Sequence, residues 1–271
     1  MKGRPESLSP DVEQRPVVMV IEDLTHYFES LRAVYDFSVT LKQGELVGLI
    51  GPNGAGKTTI FNLVTGVYLP TEGSVHYDGV ELLGLPSHEI IQMGIARTFQ
   101  NIRLFANLTV LDNVRIAFHP HAGYGLLDSI LRLRRFHDKE ATMTEQCQEL
   151  LGIFGLEERQ NDIAGSLPYG LQRRLEIARA LATRPRLLLL DEPGAGMNPQ
   201  EIDQLMELIH FIRDRFSLTI FLVEHRMRLV MNICEWITVM DFGEIIARGT
   251  PAEVRNDPGV IEAYLGRQAI R

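Results

Sequence analysis

One run of nine residues has the types and spacing that polyphosphate chemistry requires. Its glycines let backbone N–H groups surround a polyphosphate, its lysine places a positive charge at the outer phosphates, and a threonine hydroxyl is an oxygen ligand for Mg²⁺. The run therefore predicts a phosphate-binding loop that takes a nucleotide. The predicted binding residues are Gly51, Pro52, Asn53, Gly54, Ala55, Gly56, Lys57, Thr58 and Thr59, with Thr58 also a metal ligand.

A second chemical feature follows four consecutive leucines at 187–190. Such a run predicts a strand buried on both faces, which places Asp191 and Glu192 at the carboxyl edge of a sheet, where α/β folds keep their ligands. Asp191 is then placed to hold Mg²⁺ through water. Glu192 is placed to orient or deprotonate an attacking water.

Two further polar residues end apolar segments. The run Thr219–Val223 predicts a strand that brings His225 to the same edge, where an imidazole can contact a terminal phosphate. The segment 94–101 predicts a strand ending in polar residues, and its Gln100 is a neutral amide able to reach a metal or a water. Neither residue alone defines a site.

Elements that position these groups are visible in the pattern. The apolar run Leu46–Ile50 predicts a buried strand before the loop, and Ile60–Val64 predicts a helix after it. The partial positive charge of that helix N-terminus favours an anion. Upstream, Tyr27 or Phe28 could stack on a base, and core packing is an equally good reading of either ring.

Composition sets mild limits. A chain of 271 residues with 45% apolar content can bury a full core. Its net charge of −8 disfavours nucleic acid as a partner, because a surface that follows phosphates needs a basic excess. Two cysteines fit no metal spacing, as expected of a reducing compartment. We therefore predict a cytosolic protein.

The order of elements predicts an α/β protein with an inserted helical block. Strands and helices alternate through 17–101 and 166–250, and these ranges form the predicted core, with an antiparallel flank near 31–41. A helical subdomain is predicted at 102–165, including a short amphipathic helix at 123–136. The remaining predicted parts are a disordered tail at 1–16 and a helical segment at 251–271.

The ordered set of motifs resembles the ATP-binding cassette of ABC transporters over almost the whole chain. It comprises the phosphate loop, Gln100, the segment Leu167–Gln172, the four leucines with Asp-Glu-Pro, and His225. More narrowly, the chain is similar to the ATPase subunits of branched-chain amino-acid importers, the LivG-like group. The segments that carry this likeness are 97–100, 169–179 and 261–266.

The resemblance implies a P-loop NTPase core with a mixed sheet, and a dimer that holds each ATP, with Mg²⁺, between two subunits. Glu192 would be the catalytic base, His225 would stabilise the terminal phosphate, and Gln100 would link metal or water to a membrane subunit. Phe28 would stack on adenine, and Tyr27 is the second candidate for this contact. Across the dimer, the partner's nucleotide would face the signature residues Tyr169, Gly170 and Leu171.

Partners and location also follow from the resemblance. A second ATPase subunit, identical or paralogous, would complete the site. Integral membrane permease subunits would hold the cassette at the cytoplasmic face of the cell membrane. A periplasmic or extracellular solute-binding protein would act indirectly.

The chain departs from the usual family motifs at two places. The common Leu-Ser-Gly-Gly-Gln signature is Leu167-Pro168-Tyr169-Gly170-Leu171, which lacks the serine hydroxyl, one glycine and the glutamine. The helix N-terminus, predicted near Leu171, and Gly170 remain. The aspartate expected after the acidic strand end is Asn198.

The same motifs leave some other functions open and oppose others. The chain could instead serve import of urea or an amide, or export of lipopolysaccharide or another lipid, although an exporter would be expected to keep the Ser-Gly-Gly signature. A GTPase would need an Asn-Lys-x-Asp motif, and the chain contains no Asn-Lys pair. A cassette acting on DNA or ribosomes would carry a coiled coil or a second cassette. A nucleotide sensor without hydrolysis is opposed by Glu192 together with His225.

Overall fold

The computed structural model describes residues 15–118 and 134–265. Two compact units divide the chain. The first contains residues up to Ile95 and from Arg186 onward, and the second is Ala96–Pro185. The tail predicted at 1–16 and the short helix predicted at 123–136 lie largely outside the described residues.

Strands and helices alternate along the described chain. The strands are β1 (Val17–Phe28), β2 (Leu31–Lys42), β3 (Leu46–Ile50), β4 (Glu72–Tyr77), β5 (Val80–Glu81), β6 (Ile95–Arg97), β7 (Leu187–Asp191), β8 (Thr219–Val223), β9 (Trp236–Asp241) and β10 (Glu244–Gly249). The α-helices are α1 (Lys57–Val64), α2 (Ser87–Gln92), α3 (Val110–Phe118), α4 (Arg134–Ile153), α5 (Tyr169–Ala182), α6 (Pro199–Phe216), α7 (Met227–Ile233), α8 (Pro251–Asn256) and α9 (Pro258–Leu265).

The larger sheet carries the functional edge. Its strand order is β10-β9-β3-β8-β7-β6, and the chain passes from the first unit to the second within β6. Strand β3 is parallel to both β8 and β9, and β7 is parallel to β8. All residues of β3, β7 and β8 are buried, as the apolar runs predict. Parallel strands end at one edge, so the residues that follow β3, β7 and β8 converge there.

A four-stranded antiparallel sheet, in the order β2-β1-β4-β5, forms the predicted flank. The sequence predicts a strand at Val17–Ile21, but β1 continues to Phe28, seven residues further. Polar residues at 22 and 23 hide this continuation, and the register with β2 shifts between Ile21 and Leu24, where Asp23 has a φ of 49°. Such bulges break the alternation on which the prediction depends. With this flank and the mixed sheet, the predicted α/β class is confirmed.

The core of the first unit joins the two sheets to α1. Phe61 of this helix packs against Phe221 of β8, with ring centroids 5.2 Å apart, and both side chains are fully buried. Truncating a buried aromatic of this size to alanine costs about 3–5 kcal/mol. The helix that follows the phosphate loop is therefore fixed firmly to the sheet.

The second unit is helical, with α3 packed against α4 and α5. Asn113 of α3 is fully buried and holds the preceding turn, because its side-chain amide donates to the carbonyls of Phe105 and Thr109. Its carbonyl oxygen accepts the N–H of Phe105. The three hydrogen bonds of this amide therefore tie residues 105 and 109 to α3.

Candidate nucleotide site

The phosphate loop connects β3 to α1 in the predicted manner. Gly56, with a φ of 98°, is the N-cap of α1, and no side chain caps the helix there. The first backbone N–H groups of a helix have no partner within it, and the helix dipole adds partial positive charge. The geometry therefore suits an anionic group at this turn.

Lys57 is held inside the loop. Its ammonium group donates to the carbonyl oxygens of Gly51, at 2.8 Å, and Pro52, at 2.9 Å, and the residue is only 5% exposed. A buried cation needs several oxygen partners to offset its lost hydration. These contacts hold the ammonium group against the loop backbone, and phosphate oxygens can replace the two carbonyl oxygens as its partners.

Gly56→Ala should weaken ATP binding by tenfold or more and lower the unfolding free energy by about 3 kcal/mol. An added Cβ would lie 2.5 Å from the carbonyl oxygen of Ala33, in a left-handed conformation that disfavours any side chain. Calorimetric ATP titration and thermal unfolding measure the two effects.

Gly79→Ala is the matched control for Gly56→Ala. Gly79 has a φ of 78°, but a Cβ there meets nothing within 4 Å. That variant should lose only about 1–2 kcal/mol of stability and keep wild-type ATP affinity. Equal effects of the two substitutions on ATP binding would contradict the close-packing argument.

Two carboxylates stand at the end of β7. Asp191 is 1% exposed, and Glu192 follows it with a φ of 46°, an unfavourable backbone conformation for glutamate. The N–H of Glu192 donates to the carbonyl of Val223 at the end of β8, at 2.8 Å. Strained backbone of this kind is concentrated at functional sites, where surrounding contacts hold a side chain in a required direction.

Glu192 and His225 are brought together as predicted. The Nδ1 atom of His225 lies 3.6 Å from a carboxylate oxygen of Glu192 and 3.8 Å from one of Glu224. His225 is half exposed, whereas Glu192 is nearly buried. An acid–base residue beside a partly exposed imidazole can act on a water near a terminal phosphate.

Glu224 organises this edge, and its role is not evident in the sequence. The residue is fully buried, and one carboxylate oxygen accepts the N–H of Gly194 at 2.8 Å. The other oxygen accepts the N–H groups of His225 and Arg226 at 2.8 and 3.0 Å. Glu224 thereby joins the turn after β7 to the turn after β8. The signal in the sequence for this role is an acidic residue directly after an apolar strand.

Asn198 has a structural role at the start of α6. Its side chain accepts the N–H groups of Gln200 and Glu201, and the Glu201 side chain accepts the N–H of Asn198 in return. Asparagine caps a helix about as well as aspartate. The departure from the expected aspartate therefore leaves this helix start intact.

Phe28 belongs to an aromatic group on the first unit. Its ring meets His26 edge-on at 4.6 Å and Tyr68 edge-on at 5.3 Å, and it is 40% exposed. Tyr68 is tied to the loop helix, because its N–H donates to the carbonyl of Asn62. Tyr27 is similarly exposed. The exposure of Phe28 is compatible with stacking on a base. Tyr68, which belongs to the same aromatic group, is not among the residues predicted from the sequence.

The signature residues begin α5 of the second unit. The helix starts at Tyr169, two residues before the predicted position, because Pro168 already supplies the extended N-cap conformation and its carbonyl accepts the N–H of Leu171. Tyr169 is exposed, while Gly170 and Leu171 are partly exposed. No side chain caps this helix N-terminus. Gln100 is also in the second unit, and its carbonyl accepts a hydrogen bond from Arg173 of α5, at 2.8 Å.

Metal donors in the first unit are oxygens. Thr58, at the start of α1, offers a hydroxyl, and Asp191 offers a carboxylate. Among the described residues, no group of three or more His, Cys, Asp or Glu side chains is arranged to hold a metal ion. A hydroxyl with one carboxylate fits Mg²⁺, which takes few protein ligands and completes its shell with phosphate oxygens and water.

The family follows from comparison with known proteins. The family model described as ABC transporter matches residues 34–195. The chain belongs to the ABC transporter family. A second model, described as branched-chain amino acid ATP-binding cassette transporter, matches residues 244–270 of this cassette. Both the predicted family and the predicted likeness to branched-chain amino-acid cassettes are confirmed.

Relatives of the cassette match it over nearly their full length. The branched-chain amino acid transport ATP-binding protein BraF of Pseudomonas aeruginosa is 45% identical, over 93% of this chain and 98% of its own. LivG of Salmonella typhimurium, with the same description, is also 45% identical, over 92% and 98%. The crystal structure of an ATP-binding cassette of an ABC transporter in its ADP conformation superposes with a TM-score of 0.80, at 30% identity, covering 92% of this chain and 99% of that one.

A relative with a different cargo is less similar. The lipopolysaccharide export system ATP-binding protein LptB of Haemophilus influenzae is 35% identical over 93% of the cassette and 98% of its own length.

Within residues 15–118 and 134–265, no helix of the cassette has both the length and the apolar character for a bilayer span.

Proposed function

We propose that the cassette is the ATP-hydrolysing subunit that powers import of branched-chain amino acids through a separate membrane permease. The observation that carries this proposal is the 45% identity to BraF over 98% of that protein. The match of residues 244–270 to the branched-chain amino acid model supports it independently of the shared ATP-binding motifs.

Nucleotide binding falls to the first unit in this proposal. The loop N–H groups and Lys57 hold the phosphates, and Phe28 stacks on adenine. Thr58 and Asp191 would hold Mg²⁺. When bound, Mg²⁺ neutralises charge on the phosphate oxygens.

Hydrolysis needs a base and a positioned water. Glu192 accepts the proton of the attacking water, and its strained backbone together with the Val223 contact directs the carboxylate. His225 donates to an oxygen of the terminal phosphate, and the Glu224 contacts with its backbone fix the turn that carries it. Because phosphoryl transfer requires little covalent chemistry from the protein, positioning and charge account for most of the rate.

Dimerisation completes the site. A second cassette, identical or paralogous, presents Tyr169, Gly170 and the start of α5 to the γ-phosphate of its partner. The uncapped N–H groups of that helix supply donors, while Pro168 supplies neither a hydroxyl nor an N–H. ATP-driven closure of this dimer provides the force for transport.

Coupling to the membrane falls to the second unit. Gln100 is a neutral amide, and the helical subdomain has no role in the hydrolysis proposed above; both dock the permease at the cytoplasmic face of the membrane. Nucleotide occupancy then reaches the permease as a rigid-body rotation. The solute-binding protein delivers cargo on the other side.

Gln100→Ala should lower solute uptake by about tenfold while leaving the ATP dissociation constant within twofold of wild type. The reason is that the proposed role of Gln100 lies in transmission to the permease rather than in holding adenine or phosphate. Uptake by cells carrying the variant and filter binding of ATP to the purified chain test the two parts. Normal uptake would remove Gln100 from the coupling role.

The cargo is tested by purifying the tagged chain with its partners from native membranes. We expect permease subunits to copurify, and we expect ATP hydrolysis by the cassette in this assembly to rise when leucine, isoleucine or valine is supplied with the copurifying binding protein. Stimulation by urea or an amide alone, or copurification with lipopolysaccharide, would replace branched-chain amino acids by one of the alternative cargoes.

A further inference from the structure

An ion pair is buried inside the second unit. Arg173 and Glu176 of α5 are 0% and 2% exposed, and a guanidinium nitrogen lies 2.6 Å from a carboxylate oxygen. Replacing such a pair by apolar residues of similar size is often neutral for stability, because removing both charges from water is costly. Fold stability alone therefore explains the pair poorly.

Both members of the pair bind the backbone of one short segment, residues 99–103, which we name the Gln100 segment. Arg173 donates to the carbonyl oxygens of Phe99, at 2.7 Å, and Gln100, at 2.8 Å. One oxygen of Glu176 accepts the N–H of Arg103 at 3.2 Å and that of Phe99 at 3.4 Å. Four backbone groups around Gln100 are thus bonded to two side chains of a single helix.

The opposite charges of Arg173 and Glu176 match the backbone groups that they bind: the guanidinium donates to carbonyl oxygens, and the carboxylate accepts N–H groups. Burial raises the pKa of the Glu176 carboxyl, while Arg173 and the two backbone N–H groups oppose the rise. Arg173 also donates to the hydroxyl of Tyr169, at 3.1 Å, which extends the network to the first signature residue of the helix. Within the segment, the guanidinium of Arg103 lies 4.1 Å from the centre of the Phe99 ring.

We propose that Arg173 and Glu176 are positioning residues that fasten the Gln100 segment to the signature helix, so that the two move as one body. The proposal rests on the coupling role given to Gln100 above. A displacement of Tyr169 and Gly170 on dimer closure then carries the Gln100 backbone with it. Arg173 and Glu176 bind backbone groups rather than the Gln100 side chain. They therefore constrain the Gln100 segment whatever the side-chain amide of Gln100 contacts.

Residue-resolved hydrogen exchange of the full chain tests the attachment directly. In the double variant Arg173→Met with Glu176→Leu, exchange of the Arg103 and Phe99 amides should accelerate by about tenfold to 100-fold, as expected for lost bonds to a charged group. The amides of Ile177 and Ala178 in α5 should stay within twofold of wild type. Unchanged exchange at Arg103 in a folded double variant would overturn the proposal.

The exposed pair Arg159–Asp162 is the matched control, with the same sequence spacing in the same unit and 3.3 Å between charged atoms. Arg159→Met with Asp162→Asn should leave exchange at 99 and 103 unchanged. If the apolar double variant does not fold, Glu176→Gln replaces it, because the amide keeps the size and loses the charge. Exchange at Arg103 should still rise about tenfold in Glu176→Gln, and wild-type exchange there would equally overturn the proposal.

The functional consequence is measured in the assembled transporter. The Arg173 and Glu176 variants should lower the number of solutes moved per ATP hydrolysed by about fivefold or more, with ATP affinity within twofold of wild type. Arg173→Lys, which keeps the charge but cannot reach two carbonyls in a fixed fork, should give an intermediate ratio. A wild-type ratio in the double variant would show that the attachment does not contribute to coupling. The exchange result is independent of cargo, so it stands even if the proposed transport function fails.

Discussion

Glu192→Gln should reduce ATP hydrolysis by about 10²- to 10⁴-fold, the usual effect of removing a general base, while ATP binding stays near wild type. The amide keeps the size of the side chain but cannot accept the proton of the attacking water. Because ATP then persists, the variant should accumulate as a closed dimer once it is assembled with the permease. Phosphate release measures the turnover, and sedimentation of this assembly in ATP measures the dimer.

Lys57→Ala is the contrasting variant for this prediction. Removing the ammonium that the carbonyls of Gly51 and Pro52 now hold should weaken ATP binding itself by about 100-fold. The two variants must therefore differ: one binds and does not hydrolyse, whereas the other does not bind at the same concentration. Equal turnover by Glu192→Gln and wild type would remove Glu192 from the role of base.

Gly170→Asp should abolish hydrolysis and ATP-dependent dimerisation while leaving ATP binding to the first unit nearly intact. The carboxylate would face the partner's γ-phosphate, and two unit charges 4 Å apart repel by about 4 kcal/mol at an effective dielectric constant near 20, about 10³-fold. An acidic residue in the first turn of α5 is favourable for the helix itself, so misfolding is not the expected cause.

Gly170→Asn is the uncharged control of nearly the same size. It should retain much more activity than Gly170→Asp, because only repulsion distinguishes them. With a non-hydrolysed ATP analogue, sedimentation should show the isolated wild-type chain mainly as a monomer, because Pro168 lacks the hydroxyl and the N–H that a serine there would donate. Dimers should form only together with the permease. Wild-type hydrolysis by Gly170→Asp would mean that no site of this kind exists across a dimer.

Local pattern was sufficient for the parts of the fold that depend on sequence neighbours. The strands β3, β7 and β8 are continuous apolar runs, and the glycine turn after β3 has a single structural meaning in that context. Polar residues that end such strands must lie at one sheet edge. For this reason the Glu192–His225 neighbourhood could be predicted, and the contact confirms it.

Residues that act through distant backbone could not be predicted in this way. Glu224 looks like an ordinary strand end, yet it bonds the N–H of Gly194, thirty positions away. Arg173 and Glu176 read as polar positions on a helix, but their partners are more than seventy positions earlier. A side chain that satisfies remote backbone groups leaves no periodic signal, because its partners are fixed only by the tertiary fold.

Tyr264, in the C-terminal segment, is another residue whose surroundings could not be predicted from local sequence. Burial raises the pKa of the Tyr264 hydroxyl to about 12, and the backbone N–H of Gly51, the first residue of the phosphate loop, opposes the rise. The sequence linked Tyr264 to the family only through its motif. Its position depends on the packing of α9 against β10.

In the proposed function, ATP hydrolysis at Glu192 drives uptake of branched-chain amino acids. The most direct measurement is uptake of labelled leucine into liposomes that contain the cassette assembled with its copurified permease and enclose ATP on the cassette side. We predict uptake that requires both ATP and the solute-binding protein and that stops in the Glu192→Gln assembly. Leucine uptake that persists without ATP, or that proceeds at the wild-type rate with Glu192→Gln, would contradict the claim.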